Sequence, residues 1–343
     1  MAPGPRALGE RGLLRLTLGA AVVAQVGAHI DGWYHLHRGF AIESFWTWPH
    51  LVFYAGKIGM AFTVLGYLAG SAARGLPRRA WLPRGYALVL VGSGLFFVGG
   101  AFDIAWHGLV GFEADVATLL SPAHLWLWVA ALVTQFGVLQ AALAARAPVA
   151  APLALAVLCR ATLWNLIYAD PLAVDYAAGG AVARGRAGFA GVPDGMGGEI
   201  AGTTGIVLHV VLVVLFLLAG LRHCRLGAGT VATVLLWNGL LTAGATGMWR
   251  YLPAVALAAL AGEATWHVVR RGGLGGPDAD AGYRLVGFVV PAVAFGAYVA
   301  LAALVGGGIA WPVHVAAGAP LIAGFYGLVA SLLVVPPRRL RGP

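Results

Sequence analysis

The sequence predicts an all-α, polytopic transmembrane helical bundle of about ten spans, and three observations lead there. Of 343 residues, 60% are hydrophobic and only 10% charged, where a soluble domain carries roughly a quarter charged residues. Mean hydropathy is +0.84. Apolar runs of about 20 residues, the length that crosses a bilayer, recur along the whole chain. They lie at roughly 13–36, 48–72, 85–110, 120–145, 148–168, 201–221, 227–248, 252–270, 284–306 and 313–335.

The loops between these runs carry the topology. Arg6, Arg11 and Arg15 precede the first run. Arg74, Arg78, Arg79 and Arg84 follow the second, Arg146 the fourth, and Arg222 and Arg225 the sixth. Arg270, Arg271 and Arg284 flank the loop after the eighth, and Arg338, Arg339 and Arg341 end the chain. Simple alternation puts all of them on one side, so the positive-inside rule predicts a multi-pass plasma-membrane protein with both termini in the cytoplasm. The opposite loops are acidic: Glu43, Glu113, Asp115, Asp170, Asp175, Asp194 and Glu199. The net charge of +9 is thus a topology signal, and arginines scattered over short loops argue against nucleic-acid binding. Cys159 and Cys224 imply neither a disulfide framework nor a thiolate metal site. The first run has the basic flank and small-residue end, at Ala28, of a signal peptide. Its match to the third run favours a retained helix.

Taken in order, the elements repeat a constellation. The first run ends Asp31-Gly-Trp33-Tyr-His35, and the second opens Trp48-Pro49-His50. The third ends Asp103-Ile-Ala-Trp106-His107, and the fourth opens Ser121-Pro122-Ala-His124. Asp and His four apart project from one helix face, and a Pro-containing turn returns a second histidine to the same level. Both hairpins start inside, which makes a parallel repeat within residues 1–146. Residues 147–343 form the second half, with an outer loop at 169–200.

By this topology Asp31, His35, His50, Asp103, His107 and His124 gather at the extracytoplasmic face. Ionisable groups are costly in a bilayer, and two readings of the sets stay open. They hold a metal, or they lock helices together by buried hydrogen bonds within an interfacial aromatic belt. Histidine and carboxylate without thiolate suit Cu(II), zinc or iron. Glu113 and Asp115 in the loop, Tyr54 and Lys57 on the His50 face of the second run, and His314 at the start of the tenth are expected around the ligands. Tryptophans 33, 46, 48, 106, 126 and 128 would form a dry shell. Lys57, the single lysine, calls for a carboxylate, Asp31 or Asp103. Glu263-Ala-Thr-Trp266-His267 looks like a third copy on the wrong face, and His209 reads as a haem or metal ligand or as a core histidine.

The run Phe102-Asp103-Ile-Ala-Trp106-His107, with Glu113-Ala-Asp115 and Ser121-Pro122-Ala-His124, resembles the metal-site segment of the C subunit of the copper membrane monooxygenases. These are the particulate methane and ammonia monooxygenases. The resemblance covers about 25 residues. The loop before His124 is a few residues longer here, and the motif occurs twice. It implies that Asp103, His107 and His124 bind copper. It also implies oxidation of a small apolar substrate within a complex of additional membrane subunits. The alternative that the sequence supports is a proton-coupled transporter of a metal ion or small solute.

Overall fold

Backbone N–H and C=O groups find no partner in hydrocarbon, so an apolar run that crosses a bilayer must satisfy them within itself. The computed structural model describes residues 8–38, 45–113, 116–178, 196–272 and 280–336, and these are all-α. The helices are α1 Glu10–Arg38, α2 Trp48–Ala73, α3 Tyr86–Val110, a short α4 Val116–Leu120, and α5 Pro122–Ala144. There follow α6 Ala150–Leu163, a 3-10 stretch Trp164–Ala169, a short α7 Pro171–Val174, α8 Met196–Arg222 and α9 Thr230–Thr246. α10 Leu252–Arg271, α11 Asp280–Val305 and α12 Val313–Val334 end the series.

Among the described residues nine helical segments are long and apolar enough to cross a membrane. The expected span at 227–248 is the exception. α9 has 17 residues, about 25 Å of helix against a hydrocarbon core of about 30 Å. Gly247, in the left-handed conformation, stops it, its N–H closing on the Ala243 carbonyl. The fourth run, expected as one span, forms one helix, α5. Ser121 and Pro122 begin α5 as a new helix after α4.

The helices gather in two compact units, residues 1–165 and 166–343. In the first, α1 packs along α2, α3 along α5, and α6 against α5 and α1. Small residues let the backbones meet. A Cβ on Gly56 of α2 would lie 2.2 Å from the Ala24 nitrogen of α1. One on Gly92 of α3 would lie 2.6 Å from the Thr134 nitrogen of α5. Such contacts drive helix association where the lipid is as apolar as the protein. Two buried hydrogen bonds tie α6 to α1: Arg160 Nε donates to His29 Nε2 at 3.0 Å, and Gln25 Nε2 donates to the Val157 carbonyl at 2.8 Å.

In the second unit α9 packs on α10, α10 on α11, α11 on α12, and α12 on α8. Residues 169–178, the start of the loop expected at 169–200, fold into this unit. α7 touches α8 and α9, and the turn Tyr176–Ala178 touches α8 and α11. Asp170, Asp175, Tyr176 and Ala177 are buried there. Residues 179–195 lie outside the described residues.

The close approach at Gly56 generates a prediction. Gly56→Val forces α1 and α2 apart and destabilises the protein by about 1–3 kcal/mol. Gly66→Val on the same helix, where a Cβ meets nothing within 4 Å, leaves stability nearly unchanged. Thermal unfolding in detergent, followed by loss of the monodisperse species, separates the two.

Candidate metal centre

Each cluster is assembled by one helix end and one helix start. Asp31 and His35 lie one turn apart near the end of α1, with His35 Nε2 at 3.4 Å from Asp31 Oδ1. α2 brings His50 back to the same carboxylate, its Nε2 at 3.3 Å from Asp31 Oδ2. In the second cluster His107 Nε2 is 3.4 Å and His124 Nε2 3.7 Å from Asp103 Oδ1. In both clusters the three donor atoms lie within 4.8 Å of one another.

The turn that starts each returning helix also sets the histidine ring. Thr47 is the N-cap of α2, and its Oγ1 lies 3.0 Å from His50 Nδ1. Ser121 is the N-cap of α5. Its Oγ accepts from the His124 backbone N–H and lies 2.8 Å from His124 Nδ1. Both sequences therefore read Ser/Thr-x-x-His, with a proline in the first turn. A hydroxyl on Nδ1 turns Nε2 toward the carboxylate, as the outer partners of metal-bound imidazoles do.

The donor chemistry fits a cation. His107 Nδ1 lies 3.1 Å from the Gly111 carbonyl, which can only accept, so Nδ1 carries the proton and Nε2 presents its lone pair. That lone pair faces Asp103 Oδ1, itself an acceptor. Asp31 Oδ1 and Asp103 Oδ1 are buried and take no hydrogen bond from the described residues. Separations of 3.3–3.7 Å are long for hydrogen bonds. They suit ligand atoms of one ion, since donors at about 2.0–2.1 Å from a tetrahedral metal stand about 3.3–3.4 Å apart. Two imidazoles and one carboxylate leave further coordination positions for a small molecule.

Other expected residues fall into place unevenly. Tyr54 stacks on His50, ring centroids 5.8 Å apart, and feels the charge of both Asp31 and Asp103. Glu113 Oε2 lies 3.3 Å from His107 Nδ1, and its Oε1 accepts from the Trp106 indole N–H. Burial opposes the charge of Glu113, but the indole, His107 and His124 outweigh it and hold the carboxyl below its usual range. Asp115 lies outside the described residues. His314 is exposed in the first turn of α12.

One expectation is corrected. Lys57 has no carboxylate: Nζ makes no hydrogen bond to the described residues and lies 5.6 Å and 5.2 Å from the Phe53 and Phe96 ring centroids. Asp31 and Asp103 instead face the histidines. Among the described residues, phenylalanines lie against His107. Phe112 stacks on His107 at 4.4 Å, and Phe45 lies 5.7 Å from the same ring. The indole N–H groups of Trp126 and Trp128 donate to the backbone carbonyls of Leu95 and Ala161. The apparent third copy is structural. Glu263 accepts from the N–H groups of Gly229 and Ala232 and so caps α9, while His267 is exposed.

Sequence reasoning missed Thr47, Phe45 and Phe112. Aligning the hairpins on Ser/Thr-x-x-His, rather than on proline, would have found Thr47.

The hydroxyls make a prediction. Thr47→Val lowers metal affinity at the first cluster, and Ser121→Ala at the second, by about 10- to 100-fold, read by competition with a chelator. Ser121→Ala also loses a helix cap, worth about 1 kcal/mol. Unchanged affinity in both variants would show that the hydroxyls do not hold the rings. No family model, curated protein or solved structure matches the chain.

Proposed function

We propose that this membrane-embedded helical protein is a copper protein with two sites, Asp31/His35/His50 and Asp103/His107/His124. It acts as a subunit of a copper membrane monooxygenase-like oxidase. The observation that carries the reading is the convergence, in each cluster, of two imidazole Nε2 atoms on one carboxylate at 3.3–3.7 Å. The choice of copper over zinc or iron rests on the sequence resemblance around Asp103, His107, Glu113 and His124. The same donors accept zinc or iron. The arginine pattern supports a topology with both termini inside and both clusters near the outer face of the plasma membrane. The parallel hairpin repeat accounts for the matching pairs.

Copper, when bound, supplies one-electron exchange with dioxygen. The chain's own residues have separate tasks. Each aspartate offsets one positive charge of the ion in surroundings where uncompensated charge is costly. Thr47 and Ser121 fix ring orientation. Phe45, Phe112 and Tyr54 place apolar faces beside the ligands, suited to a small apolar substrate and to exclusion of water.

Elemental analysis of detergent-purified protein tests this. The wild type is expected to hold two coppers per chain, His35→Ala one, His107→Ala one and the double variant none, each folded. Stoichiometric copper in the double variant would overturn the assignment. Metal that dissociates during purification and is moved across vesicle membranes would favour a carrier over an oxidase.

A further inference from the structure

The two clusters lie in the same compact unit, and ring contacts cross from one hairpin to the other. Phe45 belongs to the turn before α2, two residues ahead of Thr47 and five ahead of His50. Its ring centroid lies 5.7 Å from that of His107, a histidine of the second cluster. It lies 5.7 Å from that of Phe112 as well, and Phe112 stacks on the same imidazole at 4.4 Å. The first hairpin thus supplies part of the wall of the second cluster. A second contact runs the other way. Tyr54, stacked on His50 at 5.8 Å, lies 6.4 Å from Phe96, which stands two helical turns before Asp103 on α3. Tyr54 is within electrostatic reach of both Asp31 and Asp103, and Asp103 is within reach of His50.

The turn that carries Phe45 is held differently from its counterpart. At the start of α5 the Ser121 hydroxyl accepts from the His124 backbone N–H and also meets the His124 ring. At the start of α2 the Thr47 side chain makes no capping hydrogen bond, and its Oγ1 lies on His50 Nδ1 at 3.0 Å. A helix start without its side-chain cap gives up about 1 kcal/mol of anchorage. The imidazole of His50 is therefore a main hold on this turn. An ion on Asp31, His35 and His50 ties the end of α1 to the start of α2. Through His50 and Thr47 it also ties the half-buried Phe45 against His107.

We infer that Phe45 is a positioning residue through which an ion at the first cluster tightens the binding of an ion at the second, so that the two centres load cooperatively. Phe45 has no donor atom, and it acts by fixing the His107 ring between itself and Phe112. Coupling of this kind is reciprocal, so an ion at the second cluster tightens the first by the same factor. An opposing effect is present. Each aspartate offsets one charge of a divalent ion, and the charge left on each centre repels the other. Without Phe45 only that repulsion remains. The coupling rests on the metal reading of both clusters.

The test is equilibrium competition for copper(II) between a chelator and the purified full-length protein. His107→Ala gives the association constant of the first site alone, and His35→Ala that of the second. The product of the two wild-type constants, divided by the product of these single-site constants, is the coupling factor. It is expected to be about 10 in the wild type. Measured in the same way on a Phe45→Ala background, it is expected to fall to one or below, whereas Phe45→Tyr, which keeps the ring, retains it. If Phe45→Ala does not fold, Phe45→Leu, which loses the ring and keeps apolar bulk, takes its place. A factor of one in the wild type, or the same factor with and without the ring, would overturn the proposal while leaving two copper sites. Absence of copper from every protein would overturn the copper reading, and the coupling with it.

Discussion

A carboxylate placed opposite the lone pairs of imidazoles, inside an apolar span, is the constraint on which this structure turns. Asp103 Oδ1 faces His107 Nε2 at 3.4 Å while the Gly111 carbonyl holds the other nitrogen of that ring. Acceptors facing acceptors in a low dielectric repel, and water is scarce there to separate them. A cation resolves the conflict. The rest of the first unit keeps the conflict in place. Gly56 and Gly92 let the hairpin backbones touch, which sets the level at which each aspartate meets the returning histidine. The helix starts at Thr47 and Ser121 orient the rings.

Three donors within 4.8 Å make a pocket that an ion can fill. Leaving such a pocket without its cation strands buried carboxylate oxygens, Asp31 Oδ1 and Asp103 Oδ1, which is costly.

The Asp-x-x-x-His pairs were legible in the sequence because an i,i+4 relation is a local property of a helix. The returning histidines were legible because a Pro-containing turn announces a helix start. The long apolar runs were legible from composition, and α9 fell short because a glycine conformation, not hydropathy, ends it. What depended on distant packing was not legible. Lys57 meets Phe53 and Phe96 where charge alone suggested an aspartate. Arg160 finds His29 across 131 residues. Asp170 meets His209 because a glycine on α8 admits the chain beside it, and neither residue carries a sequence signature of the other.

The shell around the metal is the most direct point of test. X-ray absorption at the copper edge of the loaded, full-length protein reads that shell. Nitrogen and oxygen scatterers only are expected, with multiple scattering from two imidazoles per ion and no sulfur. A sulfur shell, or fewer than two imidazoles per ion, would contradict the assignment.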